Sequence, residues 1–289
     1  MKTSAFMVGM ASLKGGVGKS TSASLLSSHI WYHYPEIKTA IWDLDQQLSL
    51  YYLRSKDIFY IKQLKELLEQ NPSKTPKKAK EYVKMYETGE KNSPLYPIRA
   101  YYHGSEENYE SFISNPDNPI DYLRIKDMEK YDNLNKDIIF VDFPGTVKYK
   151  PDMQNLLLRL NALIIPVSCD QPKEIDSQLQ YCNSIKALMN MHECNFEGNV
   201  YILWTRADKS LYRRNPGENE DDWVVRVKKK IKAMQDDAGF PFPSFESVIP
   251  DSAKIKDDTF QTILPLVQDS FATASVELLA KEFFKKVFK

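Results

Sequence analysis

Lys14-Gly15-Gly16-Val17-Gly18-Lys19-Ser20-Thr21 is the stretch on which the fold turns. An apolar run, Phe6-Met7-Val8-Gly9-Met10-Ala11, stands before it and reads as a buried strand. Ser22–Ile30 follows and reads as a helix. Strand, glycine-rich turn and helix, in that order, form the setting of a phosphate-binding loop. The glycines let successive backbone N–H groups point at phosphate oxygens. The helix N-terminus adds partial positive charge. Lys19 is expected to reach the β- and γ-phosphates, and the Ser20 hydroxyl to ligate Mg²⁺. A glycine turn with no ligand would explain neither the terminal Gly-Lys-Ser nor its context.

The composition sets bounds. At 289 residues the chain can bury the core of one large α/β domain. Lysines and arginines number 39 and acids 39, so any nucleic-acid contact has to come from a local patch. Cys169, Cys182 and Cys194 fit no zinc or thioredoxin-like spacing, and imply a reducing, cytoplasmic setting. His29, His33, His103 and His192 show no metal spacing and are expected to be incidental. No N-terminal apolar segment has the length of a signal peptide or a membrane span. No separate domain is expected before the loop, so residues 1–289 are read as one domain.

Thr39–Asp45 reads as a second strand ending in two acids. Ile138-Ile139-Phe140-Val141-Asp142 is a continuous apolar run ending in a third, as in a parallel strand buried on both faces. Ala162–Val167, Val200–Trp204 and the shorter Ser247–Ile249 are of the same kind. Helical patterns lie between them at Pro151–Leu160, Lys173–Met191 and Asp222–Asp237, with a last one at Thr273–Phe288. Residues 54–136 are less regular, with helices at Ile61–Gln70 and Pro76–Glu87 and a short strand at Pro97–Tyr102. Alternating strands and helices imply right-handed crossovers and a mostly parallel, twisted sheet with helices on both faces. In such a sheet the ligand sits at the carboxyl ends of the strands. Asp43, Asp45 and Asp142 would meet the glycine loop there and make a Mg²⁺ and water site.

The loop departs from the general phosphate-loop pattern, with Leu13 where a glycine is usual and Lys14 before the glycine pair. It resembles the deviant Walker A box of the ParA/MinD family of ATPases. Asp43-Leu44-Asp45-Gln46-Gln47 resembles that family's DxDPQ box, with Gln46 in the proline position. Val141-Asp142-Phe143-Pro144-Gly145 resembles its Walker B, with Gly145 in place of a second proline. Ile164-Ile165-Pro166-Val167 and Ile249-Pro250 are similar to two further segments, so the likeness spans nearly the whole chain, from about residue 5 to 285. The Asp45-to-Asp142 spacing is wider than in compact members, which implies an insertion within 54–136.

The resemblance implies a P-loop NTPase fold of the deviant Walker A class and slow Mg²⁺-dependent ATP hydrolysis coupled to homodimerisation. Lys14 would touch the nucleotide of the partner subunit. Residues 15–21, from Gly15 through Val17, Gly18 and Ser20 to Thr21, would cradle the phosphates, with Thr205 and Pro250 near the base. Asp45 would orient the attacking water. Asp43 would support metal and loop, and Asp142 would hold Mg²⁺ through water, with Ser20 as direct ligand. The role implied is segregation or positioning of a plasmid, chromosome or mobile element, with a ParB-like partner that stimulates hydrolysis. The ATP-bound protein would associate with the nucleoid. No NKxD-type guanine motif is visible.

A basic patch fits that role. Arg226 and Lys229 lie on the helix at Asp222–Asp237, and Lys254 follows Ile249-Pro250. They are candidates for sequence-independent DNA contact, against the plainer reading of a solvated charged face. Leu278–Lys289 is amphipathic and basic. A packed final helix is the expectation, with a MinD-like membrane anchor as the alternative. A bacterial tyrosine kinase, which shares a similar loop, would carry C-terminal tyrosines, whereas the last one here is Tyr212.

Overall fold

The computed structural model describes residues 4–72, 77–88, 95–115, 120–146, 149–169, 172–208, 215–251, 262 and 270–288. The glycine loop joins β1 (Phe6–Met10) to α1 (Lys19–His33). β2 (Thr39–Asp43) leads to α2 (Ser49–Gln70) and α3 (Lys77–Thr88). β3 (Ile98–Tyr101), α4 (Tyr109–Ile113), β4 (Tyr122–Leu123) and α5 (Ile125–Asp132) follow. Then come β5 (Ile138–Asp142), α6 (Pro151–Arg159), β6 (Ala162–Ser168) and α7 (Pro172–Met191). β7 (Val200–Ala207), α8 (Glu220–Ala238), β8 (Ser244–Pro250) and α9 (Ser270–Lys286) complete the order.

The strands form one eight-stranded sheet in the order β4-β3-β2-β5-β1-β6-β7-β8. All its pairings are parallel. β2, β5 and β6 are buried along their whole length, as continuous apolar runs require when helices cover both faces. Alternate side chains go to opposite faces. Ile139 and Val141 join the core under α5, α6, α7 and α8, whereas Ile138 and Phe140 join the core under α1, α2, α3 and α9. Phe283 of α9 is fully buried and packs 5.6 Å from Phe140 between ring centroids. The last helix is therefore packed on the sheet. No described helix is long and apolar enough to cross a membrane.

The irregular stretch differs from its expected form. α2 starts at Ser49 rather than Ile61, because Asp43 accepts the backbone N–H groups of Leu50 and Tyr51 at 3.1 and 3.2 Å. A carboxylate from the preceding strand thus satisfies donors that the helix start leaves open. β3 and β4 extend the sheet beyond β2. Asp132, fully buried at the end of α5, ties β3 to β2. It accepts from Trp42 Nε1 at 2.9 Å and pairs with Arg99 at 3.0 Å. Removing one partner of such a buried ionic contact costs about 3–5 kcal/mol.

Candidate functional site

The sheet order brings the ends of β1, β2, β5, β7 and β8 to one edge, around β1, where neighbouring connections leave in opposite directions. Gly16 and Gly18 have φ of 79° and 90°, a region that favours glycine. They turn the loop back over the N-terminus of α1. Lys19 is 6% exposed, and its Nζ donates to the Lys14 carbonyl at 3.2 Å. Ser12 Oγ donates to the same carbonyl at 2.8 Å. Lys14 itself is half-buried at the start of the loop.

Thr205, at the end of β7, donates from Oγ1 to the Val17 carbonyl at 2.7 Å. This ties the far half of the sheet to the phosphate loop. Pro250 stands opposite Ala207 at the end of β8, so both expected base-side residues are on the loop's edge.

Asp142 is 1% exposed and accepts from Ser20 Oγ at 2.5 Å through Oδ2. Its Oδ1 is buried without a hydrogen-bond partner among the described residues. Burial pushes its carboxyl above the ordinary range, and the Lys19 ammonium pulls the other way. A cation beside Ser20 and Asp142 would supply what the orphaned oxygen lacks, so these residues fit Mg²⁺. Asp43 and Asp142 are register partners on adjacent strands. Burial, and then Asp142, push Asp43 upward too. Asp43 accepts from Asp45 N–H at 3.3 Å in addition to its bonds to α2, so it holds the turn that carries Asp45.

Asp45 is half-buried, and its Oδ1 accepts from Gln47 N–H at 3.0 Å. Its Oδ2 has no hydrogen-bond partner among the described residues. One oxygen thus holds the turn and the other remains for a substrate or water.

Three further residues belong to this edge. A Cβ on Gly145 would stand 3.0 Å from Gly15 N and from Lys14 C, so the position read as a missing proline is a close approach to the loop. Arg206 has φ 52° and brings its guanidinium within 3.8 Å of where a Gly16 Cβ would stand. His103, expected to be incidental, lies near enough to Asp45 for that carboxylate to act on its ring, which burial and then the Lys150 ammonium hold below the ordinary histidine range. Their roles depend on which strands are neighbours, which no local pattern in the chain encodes.

The expected DNA contacts are less uniform. Arg226 is held by Glu218 through two hydrogen bonds, of 2.7 and 2.9 Å. Lys228 pairs with Glu246 at 2.5 Å. Lys229 is exposed and makes no ion pair among the described residues. Lys254 lies outside the described residues.

No protein-family model matches the chain, and no curated protein does. Solved structures do. A plasmid partition protein from Borrelia burgdorferi is 18% identical, covers 98% of this chain and 100% of its own, and has a TM-score of 0.50. The MinD cell division protein of Aquifex aeolicus is 16% identical over 97% of this chain and 98% of its own, at 0.51. The chain has the fold of the ParA/MinD P-loop ATPases. McdA from Cyanothece, solved as an ATP complex, shares that fold at 15% identity, over 98% of this chain and 97% of its own, at 0.53. At these identities the likeness is one of fold. The ParA/MinD fold accounts for the parallel sheet and for the meeting of glycine loop and acids at one edge.

Proposed function

We propose that this protein is a ParA-like ATPase. It binds Mg-ATP at the glycine loop and dimerises around the nucleotide. The dimer binds DNA without sequence preference, and slow hydrolysis resets it. The observation that carries this reading is the grouping of Lys19, Ser20 and Asp142, with one Asp142 oxygen buried and one Asp45 oxygen near it, neither of which has a hydrogen-bond partner among the described residues. Lys19 stands where it can pair with phosphate. The loop N–H groups supply further donors, and Asp45 orients water for in-line attack. Mg²⁺, held through Ser20 and Asp142, would neutralise charge on the phosphates.

The ATP complex of McdA supports the choice of nucleotide. Lys14 supports the dimer, since it opens the loop as a second lysine and is part-exposed there. The role that follows is segregation or positioning of a DNA element by a cytoplasmic protein, with a ParB-like partner that stimulates turnover. The packed final helix favours this over a membrane-anchored relative.

Light scattering and gel shifts test the reading together. With ATP, the mass should double and DNA of any sequence should shift, less so as salt rises. Asp45→Ala should hold the dimer, and Lys14→Ala should weaken it while still binding ATP. Lys229→Ala with Lys254→Ala should weaken the shift, and Arg226→Ala should add little because that side chain already serves Glu218. A monomer with ATP, or pelleting with liposomes and no shift at low salt, would contradict it.

A further inference from the structure

Leu48 and Arg206 are the two non-glycine residues with positive φ among the described residues, and both stand at the candidate site. Leu48 has φ 46° and ψ 43°, in the left-handed region that a bulky side chain adopts only at a cost. Strain of this kind persists where the surroundings over-determine it. Two sets of contacts do so here. The first is made by the backbone. Leu48 N–H donates to the Asp45 carbonyl at 3.0 Å, closing a turn over residues 45–48. The Leu48 carbonyl accepts from Tyr52 N–H at 3.0 Å, which joins that turn to α2. The second is made by the side chain. Leu48 is 1% exposed and shares a small apolar cluster with Ala100 of β3 and Ile120. Tyr51 of α2 and Tyr122 of β4 pack against this cluster. Ala100 is the register partner of Asp43 on one side and of Tyr122 on the other, so it lies in the sheet row of Asp43 and Asp142.

The turn is thus tied at both ends. At its start Asp45 N–H donates to Asp43 Oδ1 at 3.3 Å, and Asp45 Oδ1 accepts from Gln47 N–H at 3.0 Å. Gln46 and Gln47 are exposed, so after Asp45 the turn enters the core through Leu48 alone. We propose that Leu48 is a positioning residue: its buried side chain, seated against β3 and β4, fixes the turn that aims the remaining Asp45 carboxylate oxygen at the attacking water. The two strands that extend the sheet beyond β2 thereby take part in the site.

The inference rests on Asp45 being the water-orienting group of the proposed ATPase. A water held through one carboxylate oxygen depends on where the turn sits, and a displacement of about 1 Å can cost about 100-fold in rate. Leu48 touches neither water nor phosphate in this account. It acts through the backbone of residues 45–48, so its loss should slow turnover without weakening the hold on the nucleotide.

The test compares ATP turnover, ATP affinity and melting temperature in the parent and its variants. Leu48→Ala removes the anchor and keeps the strain. It should lower kcat by about 10- to 100-fold and leave the ATP Kd within about twofold of the parent. Leu48→Gly removes anchor and strain together. It should lose kcat as Leu48→Ala does but melt higher, so it carries the test if Leu48→Ala does not fold. Leu48→Met conserves the volume and should keep kcat within about threefold of the parent. In an Asp45→Asn background, Leu48→Gly should have no further effect on kcat, since the group it aims is gone. Parental kcat in Leu48→Gly would overturn the inference and leave the ATPase reading standing. Losses additive with Asp45→Asn, or a Kd that rises in step with the loss of kcat, would overturn it too. No turnover in the parent would overturn the ATPase reading and the inference with it.

Discussion

Ser20 Oγ donates to Asp142 Oδ2 at 2.5 Å, joining the start of α1 to the end of β5. The two side chains come from positions far apart in the chain and meet because β1 and β5 pair in parallel with Met10 opposite Asp142. The bond uses one carboxylate oxygen and leaves the other buried and, among the described residues, without a hydrogen-bond partner. An isolated buried carboxylate is costly, so the pair is poised for a cation.

Asp142→Asn should therefore uncouple nucleotide from metal. The amide keeps the shape and a hydrogen bond to Ser20 and removes the charge. Titrations of ATP with and without Mg²⁺ should show the metal-dependent gain in affinity falling by about 10–100-fold. Affinity without metal should hold or rise. An undiminished metal effect would place the cation elsewhere.

Gly145→Ala should act on the phosphate loop. The added Cβ would press at 3.0 Å on the backbone of Lys14 and Gly15, which is less able to yield than a flexible side chain. Overpacking of this kind costs about 1–3 kcal/mol. ATP affinity should fall roughly tenfold, with a melting temperature only a few degrees lower. Unchanged affinity would mean that the loop yields freely.

His29 should make the fold acid-sensitive. It is buried on α1, its ring 4.3 Å from that of His33, and Glu277 and Lys281 of α9 act on it. Burial, then His33 and Lys281, lower its pKa from 6.5 to about 4, and Glu277 opposes them. The folded protein keeps the ring neutral where the unfolded chain binds a proton. Stability is thus full above about pH 6.5 and is lost as pH falls towards 4, by on the order of 2–3 kcal/mol. Urea melts at about pH 7.5 and about pH 4.5 should show that loss, and His29→Gln should reduce it. An equal loss in the variant would assign it to other groups.

The elements legible beforehand were those whose environment is uniform along their length. Val8, Ile139 and Ile164 lie in runs buried on both faces, and such a run shows itself without knowledge of its neighbours. The glycine loop was legible because its spacing serves a phosphate whatever surrounds it. Tyr122-Leu123 was not, since a two-residue strand has no period and, among the described residues, pairs only with β3. The first turns of α2 were hidden because Asp43, six residues before Ser49, supplies their cap from another element. Asp43, Asp45 and Asp142 could be picked out as acids at strand ends. Gly145 and His103 could not, because their neighbours at Lys14 and Asp45 follow from the sheet order alone.

Calorimetric titration of the parent and Lys19→Ala with Mg-ATP tests the central claim most directly. The Lys19 ammonium is buried in the loop and would be the main cationic partner of the phosphates. The parent should bind one nucleotide per chain, and the variant should lose at least about 100-fold in affinity with its fold intact. Equal affinity in the two proteins, or no binding by the parent, would contradict the reading of residues 14–21 as a nucleotide site.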